Sequence, residues 1–96
     1  MKYRKKPVVI EAVPARELIK AFKGNWDGLP DWANEAYEKG VIVGITEEGL
    51  TIKTLEGDHF AHRDDMVIQG VKGELYPCKP DIFHATYEDA RVEAME

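Results

Sequence analysis

His59, His62, Asp64 and Asp65 place four side chains capable of metal ligation or proton transfer close together in the chain. A zinc site needs its donors to converge on one point. In a strand, residues three apart face opposite sides, so His59 and His62 converge only if a tight turn brings them round. The spacing therefore predicts an exposed strand and turn ahead of a metal site. "HRDD" (His62 to Asp65) also matches the start of a kinase catalytic loop. Gln69 stands where that loop requires asparagine, and 96 residues are too few for the kinase fold. Cys78 is the only cysteine. Lys79 beside it favours a thiolate, and His59, His62 or His84 could act as its base, as in a small hydrolase. No spacing fixes such a pair, and a free cysteine commonly packs as a small hydrophobe. No glycine-rich phosphate loop is present. The residues predict no metal and no cofactor, and they lean away from an enzyme.

The stretch "GVKGELYPCKPDIFHATYE" (Gly70 to Glu88) carries the densest polar chemistry. Lys72 and Lys79, with Lys53 from the middle of the chain and the Tyr76 hydroxyl, offer donors to a small anion such as a nucleotide or a nucleotide-derived signal. Glu74, Cys78 and Asp81 stand among them. Trp26, between two helical stretches, offers an aromatic face to a partner. Lys53, Lys72, Glu74, Tyr76, Cys78, Lys79, Asp81 and Trp26 are thus the candidate ligand- or partner-binding residues. The residues favour a structural reading of the stretch over an anion pocket. Pro77 and Pro80 cannot donate backbone hydrogen bonds, so the last strand must be an edge or leave the sheet. Asp81 can cap the turn that begins at Pro80.

Which elements would position these groups? Val8, Val9 and Ile10 predict a strand over Lys5–Val13. Ala15, Leu18, Ile19 and Phe22 share one helical face, so Ala15–Lys23 reads as a helix stopped at Gly24-Asn25. Pro30 opens a second helix with Trp32, Ala33, Ala36 and Tyr37 as its stripe, and Gly40 ends it. After Gly40 the period becomes two. Val41–Thr46 and Leu50–Leu55 read as strands around Glu47-Glu48-Gly49, with Gly49 in the positive-φ position of the turn. His59–His62, Met66–Val71 and Glu74–Cys78 follow as short strands, with Glu56-Gly57-Asp58 as the turn before the first. Pro80–Phe83 opens a short helix. This predicts one α+β domain: a small, curled, barrel-like antiparallel sheet of five to six short strands, two helices inserted after the first strand, and a short helix near the C-terminus.

Composition narrows the partners. A net charge of −5 argues against a general nucleic-acid partner, although Lys2, Arg4, Lys5 and Lys6 cluster near the start. The acids Glu11, Glu17, Asp27, Asp31, Glu35, Glu38, Glu47 and Glu48 crowd the first half, and such a surface can also imitate a phosphate backbone. No apolar run approaches the ~20 residues of a membrane span. A lone cysteine fits a reducing compartment, so a cytoplasmic location is expected. Edge strands make a homodimer easy without requiring one.

"KYRKKPVVIEA", "LPDW", "GLTIKTLEGDH" and "IQGVKGELYPCKPDIFHATYE" resemble a family of small phage- and prophage-encoded proteins, nearly end to end. The C-terminal motif, GVKGE-(F/L)-YPCKPDIF, is the most specific part. Two departures stand out: Asp64-Asp65-Met66 replaces a Gly-Asp-aromatic turn, and Val13-Pro14 replaces Gln-Trp. The resemblance implies a phage accessory protein and brings no catalytic mechanism with it. The expected function is therefore non-enzymatic binding of a host or phage protein, in counter-defence or takeover of nucleic-acid processing. A small-ligand binding protein is the alternative.

Overall fold

The computed structural model describes residues 1–3, 8–24 and 28–88. In chain order the elements are β1 (Glu11–Pro14), α1 (Ala15–Phe22), α2 (Asp31–Glu38), β2 (Ile42–Val43), β3 (Gly49–Thr54), β4 (Gly57–His62), β5 (Met66–Gln69), β6 (Leu75–Cys78) and α3 (Pro80–Thr86). The α+β class is as expected from the sequence. The single curled, barrel-like sheet is not what forms. The strands make two antiparallel three-stranded sheets, ordered β1-β5-β6 and β2-β3-β4, with no closed barrel. The division falls between β4 and β5. They follow one another across a tight turn, yet β5 pairs with β1 and β6.

The same pairing shortens β1. Its register with β5 runs from Glu11↔Gln69 to Pro14↔Met66. Beyond Gln69 the partner chain turns away at Gly70, so residues before Glu11 have no strand to join. The β-branched Val8 and Val9 accordingly lie exposed, outside any strand. Residues 5–7 of the expected strand lie outside the described residues.

β2 is shorter than expected because Gly44, at φ +60°, breaks it after two residues. Gly49 was the expected positive-φ residue, but it is the first residue of β3. The next turn is Leu55-Glu56, and β4 starts at Gly57, which takes φ +121°. Thr54 closes that turn with its hydroxyl, which donates to the Gly57 carbonyl at 2.7 Å and accepts the Glu56 N–H at 3.1 Å. A threonine two residues before the end of such a turn supplies a local alternative to the ladder. β5 stops at Gln69 and β6 starts at Leu75, so Gly70, Val71 and Glu74, expected in strands, lie with Lys72-Gly73 in the connection.

The core lies between the helices and the sheets. Leu18, Ile42, Leu50, Ile52 and Val67 are fully buried in it, with Ile19, Ala33, Ala36, Ala61 and Leu75 around them. Each fully buried Leu or Ile contributes roughly 1.5–3 kcal/mol of transfer free energy. The expected stripe of α1 is confirmed: Ala15, Leu18 and Ile19 are buried and Phe22 packs against the core. Phe22 also stacks on Tyr37 of α2, with ring centroids 4.7 Å apart, which ties the two helices together.

Ile68 is fully buried but lies outside this core. Its neighbour Val67 belongs to the core, and adjacent strand residues face opposite sides. The β1-β5-β6 sheet is therefore covered on both faces. On the Ile68 side stand its cross-strand partners Ala12 and Tyr76, and Tyr76 meets Tyr87 just beyond α3.

Candidate binding cleft

The His62–Asp65 stretch is a turn whose groups are committed to the fold. Asp65 is buried, and its carboxylate accepts the His62 N–H at 3.0 Å. His62 Nδ1 accepts the Asp64 N–H at 3.2 Å. The turn also finishes α1. Pro14 precedes that helix and offers no side-chain cap. The Ala15 N–H instead donates to the Asp65 carbonyl at 2.9 Å, and the Arg16 N–H to the Arg63 carbonyl at 3.1 Å. Two of the four amides a helix start leaves open are satisfied by a distant turn. Arg16 further pairs with the Asp64 carboxylate. Among the described residues no three His, Cys, Asp or Glu side chains group to hold a metal ion.

Cys78 is half-buried on β6. Burial pushes its thiol above the ordinary value, and the carboxylates of Asp65 and Asp81 push it further in the same direction. This reverses the expectation that Lys79 would favour the thiolate. The negative neighbours that matter come from a turn distant in sequence and from the start of α3.

The Gly70–Gly73 turn explains most of "GVKGE". The Gly70 N–H donates to the Glu74 carbonyl at 2.8 Å, and the Gly73 N–H to the Gly70 carbonyl at 3.0 Å. Gly73 takes φ +84°. The Glu74 carboxylate folds back and accepts the Lys72 N–H at 3.0 Å, lying where a Cβ on Gly70 would stand. Glu74 is thus a turn-forming residue, and Gly70 is small because of it. Pro77 lies on β6, an edge strand as its missing N–H requires. The Tyr76 and Tyr87 hydroxyl oxygens are 3.5 Å apart. Burial is the main reason the Tyr76 phenol is pushed up to about 12, with Tyr87 second and the neighbouring Glu74 and Cys78 adding to it.

A cleft of about 480 Å³ opens between one face of α2, the end of β3 and the β5–β6 turn. Trp32, Ala36, Val41 and Leu75 give it apolar walls. Lys39, Lys53, Glu35 and Glu74 supply its charges. Of the candidate residues, Lys53 and Glu74 come together here. Lys72 sits in the turn above it. Tyr76, Cys78, Lys79 and Asp81 lie along β6 and the start of α3, and none of them lines it. Trp26 lies outside the described residues.

Lys39, Glu35, Trp32 and Leu55 were missed as site residues. The signal for Trp32 was present, since it shares a helix with Glu35 and Lys39 at spacings that bring side chains together. Nothing local showed that this helix face would meet the end of β3. Comparison with family models, with curated proteins and with solved structures returns no match for this chain.

Proposed function

We propose that this chain is a non-enzymatic accessory protein of a phage or prophage, which acts in the host cytoplasm by binding a host or phage protein. The biological setting rests on the GVKGE-(F/L)-YPCKPDIF resemblance. The observation that supports a protein partner is Leu55. It occupies a two-residue turn and is fully exposed at the mouth of the cleft. Val71, in the turn that contributes Gly73 to the same cleft, is 66% exposed. Single exposed aliphatics are ordinary on protein surfaces. Two on turns that border one concave, aromatic-walled site are the pattern of a contact patch.

The test is retention of a stoichiometric partner from infected cells by wild-type protein and by Leu55→Asp, Val71→Asp and the double variant. Both positions are in turns, so the variants should melt like wild type. Each substitution should weaken capture by about tenfold or more, as expected for a hot-spot side chain. Equal capture by the double variant, or no stoichiometric partner for the wild type, would count against this reading.

A further inference from the structure

The charged residues lining the cleft balance in number but not in engagement. Trp32 Nε1 is buried and has no hydrogen-bond partner among the described residues. An indole nitrogen is a donor only. Lys53 is exposed, lines the cleft and makes no ion pair among the described residues. Lys39 meets Glu35 only at 4.0 Å, with both side chains mostly in solvent, a pairing of little strength. On the acceptor side, Glu74 already receives the Lys72 N–H, and the Thr54 hydroxyl is occupied by its own turn. The lining thus sets two ammonium groups against two carboxylates: Lys39 answers Glu35, Glu74 is held by its own turn, and Lys53, beside the Trp32 ring whose N–H is buried, is left without an acceptor among the described residues. Unfilled donors beside apolar walls select an acceptor-rich anion with an apolar body. The volume lies within the range of small-molecule sites, roughly 300–1,000 Å³.

We propose that this cleft binds a small organic anion, its carboxylate or phosphate held by Lys53 and a planar or apolar body held against Trp32, Val41 and Leu75. The site differs from the set around Tyr76 and Lys79 that the sequence alone emphasises. It also stands independently of the protein-partner reading, because Lys53 and Trp32 carry it and the exposed turn aliphatics carry the other.

Two probes separate the anion sources: adenosine monophosphate for a phosphate and indole-3-acetate for a carboxylate. Adenosine and indole-3-acetamide are their neutral counterparts. The readouts are the Trp32 indole N–H resonance, assigned by comparison with Trp26→Phe, and isothermal titration of the full chain. At least one anion should move the Trp32 signal saturably at millimolar concentration. Its neutral counterpart and the Lys53→Ala variant should each bind roughly tenfold more weakly. Lys79→Ala should bind like wild type. Response to adenosine monophosphate alone assigns the phosphate class, and response to indole-3-acetate alone assigns the carboxylate class. No movement of the Trp32 signal with either anion overturns the proposal. So does binding that Lys53→Ala leaves unchanged. Neither result touches partner capture, which the Leu55 and Val71 variants report.

Discussion

Two glycines show how far a single atom reaches in this fold. Gly49 has ordinary strand geometry, yet a Cβ there would meet the Ala61 carbonyl oxygen and the Phe60 ring. The obstacle includes backbone, which cannot swing aside. Gly49→Ala should cost about 3 kcal/mol, the upper end of overpacking penalties. At Gly70 the added atom meets only the end of the Glu74 side chain. That carboxylate can rotate away, so Gly70→Ala should cost about 1 kcal/mol, one hydrogen bond. Urea denaturation of both variants checks the order, and an equal cost would show that the Gly70 turn is held by more than Glu74. Asp65 is a third case. Asp65→Ala removes a charged acceptor from a buried turn and should cost about 2 kcal/mol. Asp65→Asn keeps an acceptor and should recover part of it. Helical circular dichroism should fall with Asp65→Ala, because the same turn completes α1.

At the scale of elements, the alkaline limb of stability belongs to the β6–α3 junction. The native state holds the Tyr76 phenol up to about 12. An unfolded tyrosine ionises near pH ~10. Raised native values mean that the fold binds the proton more tightly than the open chain does. The contribution is complete below pH ~10 and is lost as pH rises to about 12. Cys78 shifts in the same direction and adds to the loss above its own ordinary value. Melting temperatures should therefore fall across that alkaline window, and Tyr76→Phe should flatten the fall. A variant with the same alkaline slope as wild type would assign the limb elsewhere.

What the sequence made readable at this scale follows from how local each signal is. α1, α2 and α3 carry their own evidence in periodicity, Pro30, Gly40 and Pro80, and all three form. The edge position of β6 was readable from Pro77 alone. Strand ends were not, because a strand ends where its partner ends. β1 begins at Glu11 only because β5 stops at Gln69. The cleft was half readable for the same reason. Lys53 and Glu74 stand out in sequence, whereas Lys39 and Trp32 matter only because α2 packs beside the end of β3.

For the whole molecule, the two-sheet arrangement separates two kinds of chemistry that the sequence runs together. The proline-rich end of the chain follows the edge of the β1-β5-β6 sheet, on whose Ile68 face Tyr76 stands. The cleft lies where the β3–β4 and β5–β6 turns approach α2. Changes at Tyr76 or Cys78 should accordingly be read in stability, and changes at Lys53, Leu55 or Val71 in binding. A Cys78→Ala variant that keeps partner capture while Leu55→Asp loses it would display that separation in one experiment. Loss of capture by both would place the contact surface on β6 as well.

The turn that completes α1 lies far downstream of it: Ala15 and Arg16 donate to carbonyls of Asp65 and Arg63. During synthesis the ribosome delivers α1 long before those carbonyls exist. The emerging α1 segment therefore carries an apolar face, Leu18 and Ile19, with neither its cap nor its sheet. A chain built this way reaches its native state late, after β5 has left the exit tunnel. It would give a chaperone, or a partner made at the same time, a long opportunity on a segment that is translated well before its cap.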